Sequence, residues 1–126
     1  MTTHFTTKHI TGKGRGKFLG YPTINLEVPK DFELTDGIYA TWVTITGTAF
    51  QGALHWGPIP TFDQEQKSLE VFLLEADDRL LERADLSVIS VEIVKKIRDV
   101  IKFPNIQSLT KEIGNDVIAV RKILRD

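Results

Sequence analysis

The sequence of 126 residues contains no cysteine, which excludes disulfides, zinc–thiolate sites and thiol nucleophiles. It also lacks an excess of either charge: 16 Lys+Arg against 17 Asp+Glu leave a net charge of -1. The broad basic surface with which proteins grip duplex nucleic acid is therefore missing, and no nucleic-acid partner is expected. No apolar run approaches the roughly 20 residues of a membrane helix, so no membrane partner is expected either. The opening Met1-Thr2-Thr3-His4 lacks the basic-then-apolar order of a signal peptide. His4, His9 and His55 show no ligand spacing, so no structural metal is expected. There are no internal repeats and no linker-like tracts. The length suits one domain, 1–126, around one core. The expectation is a cytoplasmic, single-domain monomer.

What is present changes character along the chain. Residues 37–46 are rich in β-branched and aromatic side chains, and Gly47 is the natural turn before a second strand near Ala49–Trp56. Residues 69–75 read as a strand apolar on both faces, with Leu69, Val71 and Leu73 on one side and Glu70, Phe72 and Leu74 on the other. Residues 86–94 form another strand. Weaker ones lie near Phe5–Ile10 and Thr23–Leu26. The period then switches. Leu109, Ile113, Val117, Val120 and Leu124 define an amphipathic helix, capped by Asn105 or Ser108 after Pro104. Short strands followed by one helix point to a mainly β fold, a small closed barrel with a helix packed on it.

The segment of residues 12–20, Gly-Lys-Gly-Arg-Gly-Lys-Phe-Leu-Gly, holds four glycines. Such a backbone reaches positive φ and lets successive N–H groups cradle an anion. Lys13, Arg15 and Lys17 add positive charge. Composition alone suits either a polyphosphate cradle or a hairpin loop with solvated charges. It is not a P-loop, because Phe18 follows Gly16-Lys17, and not a dinucleotide fingerprint, because Lys17 takes the last glycine position. Just downstream, Pro22-Thr23-Ile24-Asn25 sets a hydroxyl and an amide two residues apart, on one face of an extended chain. These are hard, neutral oxygen donors suited to Mg²⁺ that arrives with phosphate oxygens, or simply strand-end residues.

Together, the glycine loop and Leu19-Gly20-Tyr21-Pro22-Thr23-Ile24-Asn25 resemble the signature of the riboflavin kinase (flavokinase) family. Gly37-Ile38-Tyr39-Ala40, Gly57-Pro58-Ile59-Pro60-Thr61-Phe62, Leu69-Glu70-Val71, Ile97-Arg98, Lys102-Phe103 and Ser108-Leu109 follow in the family's order. The resemblance implies a six-stranded Greek-key barrel with a C-terminal helix. It implies phosphorylation of the riboflavin 5′-hydroxyl by ATP, giving FMN and ADP. It sets Gly12, Gly14, Arg15, Gly16, Lys17, Gly20, Pro22 and Thr23 around the nucleotide. It makes Thr23 and Asn25 ligands of the Mg²⁺ that comes with ATP, and Glu70 the catalytic base. Arg98 and Phe103 become candidate flavin contacts.

Some features depart from the family pattern. Asp77–Arg83 replaces the usual Asp-(Phe/Leu)-Tyr-Gly, in a loop expected on the flavin side, and His55-Trp56-Gly57 replaces a more usual Asn-Ile-Gly. The altered 77–83 segment motivates an alternative, a non-catalytic flavin- or nucleotide-binding barrel. Trp42 and Trp56 are expected in the barrel core, and Arg121 on a solvated face. Because the sequence begins close to the kinase signature, it is expected to stop at FMN and not to proceed to FAD.

Overall fold

Alternation of side chains along extended segments accounts for most of the architecture. The computed structural model describes residues 3–11, 22–62 and 64–125. Its six strands are β1 (Thr3–Thr7), β2 (Thr23–Leu26), β3 (Gly37–Ile45), β4 (Thr48–Ile59), β5 (Gln64–Leu73) and β6 (Ile89–Arg98). Two helices follow the same numbering, α1 (Asp78–Arg83) and α2 (Ile106–Ile123). All strand pairings are antiparallel, in the order β1-β6-β3-β4-β5-β2. Strands β3, β4 and β5 form a meander, and β6 returns to lie beside β3, which is the Greek-key arrangement. Past β1 the chain crosses to the opposite edge. His9 bridges Leu26, and Ile10 N–H donates to the Asn25 carbonyl at 2.9 Å, so the curled sheet is tied into a barrel.

The two faces of this sheet carry two separate cores. Ile24, Leu26, Val43, Leu54, Leu69, Val71, Leu73, Ile89 and Val91 fill the inside of the barrel. Ile38, Ala40, Ala53, Phe72 and Leu74 lie on the outer face, where α2 covers them with Leu109, Ile113, Val117, Val120 and Leu124. The split of β5 into two apolar faces is thus the split between barrel interior and helix interface. Asn105 caps α2 through its side-chain oxygen, which accepts from Ser108 N–H at 2.8 Å. Gly114 lies on the open side of the helix, with nothing within 4 Å of where a Cβ would be.

The β3–β4 connection needs only Thr46 and Gly47, at φ 47° and 82°. Positive φ at both central residues is the type I′ geometry that matches strand twist.

Boundaries differ from the sequence reading where polarity hides the ladder. Strand β5 starts at Gln64, five residues before the apolar run, because Gln64–Ser68 pairs with the end of β4 while Glu65, Gln66 and Lys67 are exposed. Strand β6 occupies Ile89–Arg98, not 86–94, and ends in charged residues. Strand β1 covers Thr3–Thr7. Residues 77–83 are not a loop: Asp78–Arg83 is helical, capped by Asp77 Oδ1, which accepts from Leu80 N–H at 2.8 Å. Among the described residues no helix is long and apolar enough to cross a membrane.

Candidate active site

The site grows out of register. In β2, Ile24 and Leu26 point into the barrel, so alternation places Thr23 and Asn25 on the outer face. Asn25 is the register partner of Glu70, and Thr23 that of Phe72. Glu70 is in turn paired with His55 on β4, His55 with Ile38 on β3, and Ile38 with Arg98 on β6. Directly opposed residues share a face, about 5 Å apart at Cβ. The result is a row, Asn25–Glu70–His55–Ile38–Arg98, running across five strands on the face that α2 partly covers.

The end of β4 shapes the rim of this row. A bulge falls between Gly57 and Ile59, and Gly57 has φ 136°, which only glycine adopts readily. A Cβ there would also sit 3.2 Å from Asp36 and Val100. The bend returns the Pro58 carbonyl to His55 Nε2 at 3.0 Å. Thr61 Oγ1 accepts from Phe103 N–H at 3.0 Å, which fastens the segment before α2 to the β4–β5 arm.

A half-open cleft lies between these parts, lined by Glu70, His55, Phe72, Arg98, Phe103 and Asp116 among others, with a volume of about 50 Å³. That is room for a few waters or for the end of a ligand. Glu70 is 7% exposed and His55 8%. The expectation of Glu70 on an apolar strand face with Phe72 is met, and the carboxylate is not a rim group in solvent.

Arg98 is held rigidly. Its Nε and Nη2 donate to Asp116 Oδ1 and Oδ2, both at 2.8 Å, and its guanidinium carbon lies 5.6 Å from the centre of the Phe103 ring. Two parallel bonds, one to each oxygen, are the geometry of an ionised carboxylate gripped by a fork. Burial pushes the Asp116 carboxyl up, and Arg98 opposes that push. Asp116 escaped the sequence reading, although a signal existed: it lies three residues after Ile113, on the helix face that the apolar stripe buries.

The surroundings of His55 disfavour its charged form. Burial holds its pKa below the ordinary 6.5, and the Arg98 charge adds to the effect, while the Pro58 carbonyl works against it. A carbonyl only accepts, so Nε2 carries the proton. Nδ1 is left as a bare acceptor, buried and without a hydrogen-bond partner among the described residues. The Ser68 carbonyl favours the charged form weakly, but makes no hydrogen bond to Nδ1.

The sign of the pH effect follows. Unfolded, His55 takes up a proton as pH falls through 6.5; folded, it resists until lower pH. Its contribution to stability is present above 6.5 and is lost as pH falls below it. The melting temperature is therefore expected to drop between neutral pH and about pH 5, and less so in His55→Phe. Parallel curves for the two proteins would show that His55 is not the group responsible.

The remaining expectations are placed as follows. Arg98 and Phe103 share the cleft with Glu70. The Pro22 carbonyl accepts from Leu73 N–H at 2.9 Å, docking the start of β2 on the end of β5. Gly12, Gly14, Arg15, Gly16, Lys17 and Gly20 lie outside the described residues. Trp56 belongs to the barrel core, with its indole N–H donating to the Leu34 carbonyl at 3.0 Å, and Trp42 packs against the helix-side cluster. Arg121 pairs with Glu75 at 3.1 Å on the surface. Segment 77–83 does not join the cleft: Asp77, Arg79, Leu80 and Arg83 line a separate cavity with Thr46, Thr48 and Phe50.

Similarity to known proteins extends over nearly the whole chain. The bifunctional riboflavin kinase/FMN adenylyltransferase of Buchnera aphidicola subsp. Acyrthosiphon pisum is 34% identical over 116 residues, 90% of this chain and 36% of that one. The chain spans about a third of the length of the bifunctional relatives it matches. Among solved structures, a macrolide-efflux protein from Streptococcus pneumoniae superposes with a TM-score of 0.77 at 26% identity, covering 94% of this chain and 38% of that one. The riboflavin kinase of Trypanosoma brucei shares the fold with a TM-score of 0.63 at 18% identity, covering 99% and 81%. The riboflavin kinase family model matches residues 2–124, and the chain belongs to that family.

Proposed function

We propose that this chain transfers the γ-phosphate of ATP to the terminal ribityl hydroxyl of riboflavin, giving FMN and ADP. The observation that carries the reading is the row that sets Asn25 beside Glu70 and ends at Arg98, with Glu70, His55, Phe72 and Arg98 lining one cleft. Glu70 accepts the proton of the attacking hydroxyl. Its buried position between two strands holds the carboxylate at one point, and positioning supplies much of the rate in phosphoryl transfer. The small volume admits the hydroxymethyl end of the ribityl chain, while the isoalloxazine stays at the mouth near Arg98 and Phe103. The nucleotide phosphates are assigned to Gly12–Gly20, which lies outside the described residues.

Thr23 and Asn25 suit Mg²⁺ delivered with ATP. They offer neutral hard oxygens on the Glu70 face, and among the described residues no three His, Asp or Glu side chains converge as a resident metal site. The ion, when bound, neutralises phosphate charge. Thr23 and Asn25 orient it, and the Glu70 carboxylate serves the hydroxyl.

The test is incubation of the purified chain with riboflavin, Mg²⁺ and each nucleoside triphosphate in turn, followed by chromatography for FMN and FAD. FMN formed with ATP, and no FAD, is expected. No FMN with any donor would overturn the reading.

A further inference from the structure

Among the described residues, two buried polar side-chain atoms lack a hydrogen-bond partner, His55 Nδ1 and Ser68 Oγ. They belong to adjacent strands. Ser68 precedes Glu70 by two residues on β5 and so shares its face. It pairs with Gly57 while Glu70 pairs with His55, which makes Ser68 and His55 diagonal cross-strand partners. Their chemistry is complementary: His55 Nδ1 can only accept, because Nε2 bears the proton, whereas Ser68 Oγ–H can donate. Leaving such atoms unpaired inside a protein is costly, and native structures rarely do so without a reason. An acceptor and a donor at diagonal positions of one face fit a single group that both gives and takes a hydrogen bond, and that group is a hydroxyl.

We propose that His55 and Ser68 together bind one secondary hydroxyl of the polyol acceptor, beside the hydroxyl that faces Glu70. This rests on the kinase reading and adds a specificity element to it. The pair acts as a ruler for the ribityl chain: with one hydroxyl fixed between them, the terminal hydroxyl is held at Glu70. Neither residue takes part in proton transfer. Both are positioning residues, and their loss is expected in affinity for the polyol, with a smaller effect on kcat.

The experiment compares the wild type with His55→Phe, His55→Asn and Ser68→Ala. Flavin fluorescence gives Kd for riboflavin and for lumiflavin, which has the ring and no ribityl chain. Removing one hydrogen bond to a neutral hydroxyl is expected to weaken riboflavin binding roughly five- to tenfold in His55→Phe and in Ser68→Ala. Lumiflavin binding is expected to be unchanged. His55→Asn is expected to recover most of the loss, because its amide oxygen restores an acceptor. Melting temperatures of the free variants are expected to stay level or rise, since an unpaired buried atom has been removed. Variants that bind riboflavin as tightly as the wild type, or whose losses extend equally to lumiflavin, would overturn the assignment. So would lowered melting temperatures with unchanged affinities, the signature of a purely structural pair joined by a water. A wild type that neither binds nor phosphorylates riboflavin would remove the kinase reading itself, whereas an active wild type with indifferent variants would remove only this one.

Discussion

Glu70→Gln is expected to lower kcat for FMN formation by about 10²- to 10⁴-fold, the range over which a positioned general base contributes. The substitution keeps the size of the side chain and one acceptor oxygen. It removes the negative charge and the ability to take a proton. Glu70 lies between Asn25 and His55 in the sheet, and is buried. The affinity for ATP is expected to change little, because the nucleotide is assigned to the glycine segment and to Pro22 and Thr23. Steady-state FMN formation and ATP-induced stabilisation, measured on the same preparation, check both halves. A kcat within a few-fold of wild type would end the assignment of Glu70 as base. Loss of ATP-induced stabilisation would show that the carboxylate serves nucleotide binding.

Asp116→Ala is expected to destabilise the fold by about 3–5 kcal/mol, because it strips a buried charge pair of one partner. The Asp116 side chain is 4% exposed and that of Arg98 17%, so water does little to replace the lost carboxylate. The test is equilibrium denaturation of five proteins: wild type, Asp116→Ala, Asp116→Leu, Arg98→Met and the Asp116→Leu/Arg98→Met double variant. If the single changes are harmful chiefly through the orphaned partner, the double variant is less destabilised than the sum of the two. Strict additivity would mean that the pair is not coupled in the folded state. Activity separates the roles: the double variant should regain stability without regaining flavin affinity if Arg98 contacts the ring.

Much of this was readable before the structure. The period-two pattern of β3 and β5 and the four-and-three spacing of α2 report on packing, and packing determined those elements. The family-like segments led to Glu70, Arg98 and Phe103, which the fold brings into one cleft. What stayed hidden has a physical explanation too. The polar start of β5, Gln64–Ser68, forms a strand by backbone pairing with β4 and not by burial, so no hydrophobic signal marks it. Helix α1 is short and exposed, held by a cap at Asp77 more than by an apolar face. Asp116 is matched to Arg98 across 18 residues, and nothing local in the sequence links the two. His55 looked like a stray histidine because its importance comes from a neighbour on another strand. Cross-strand adjacency is a property of register, which is read only once the pairings are known.

The five-strand row has one more implication. Each of its members comes from a different strand, and each is correctly oriented only because four separate pairings are in phase. Side chains alternate every residue, so sliding any one strand by a single position would turn its contribution into the barrel and an oily residue out toward the ligand. The site thus acts as a checksum on the sheet. A partly assembled or misaligned chain can be compact, β-rich and soluble, and still have no place where a hydroxyl meets a carboxylate.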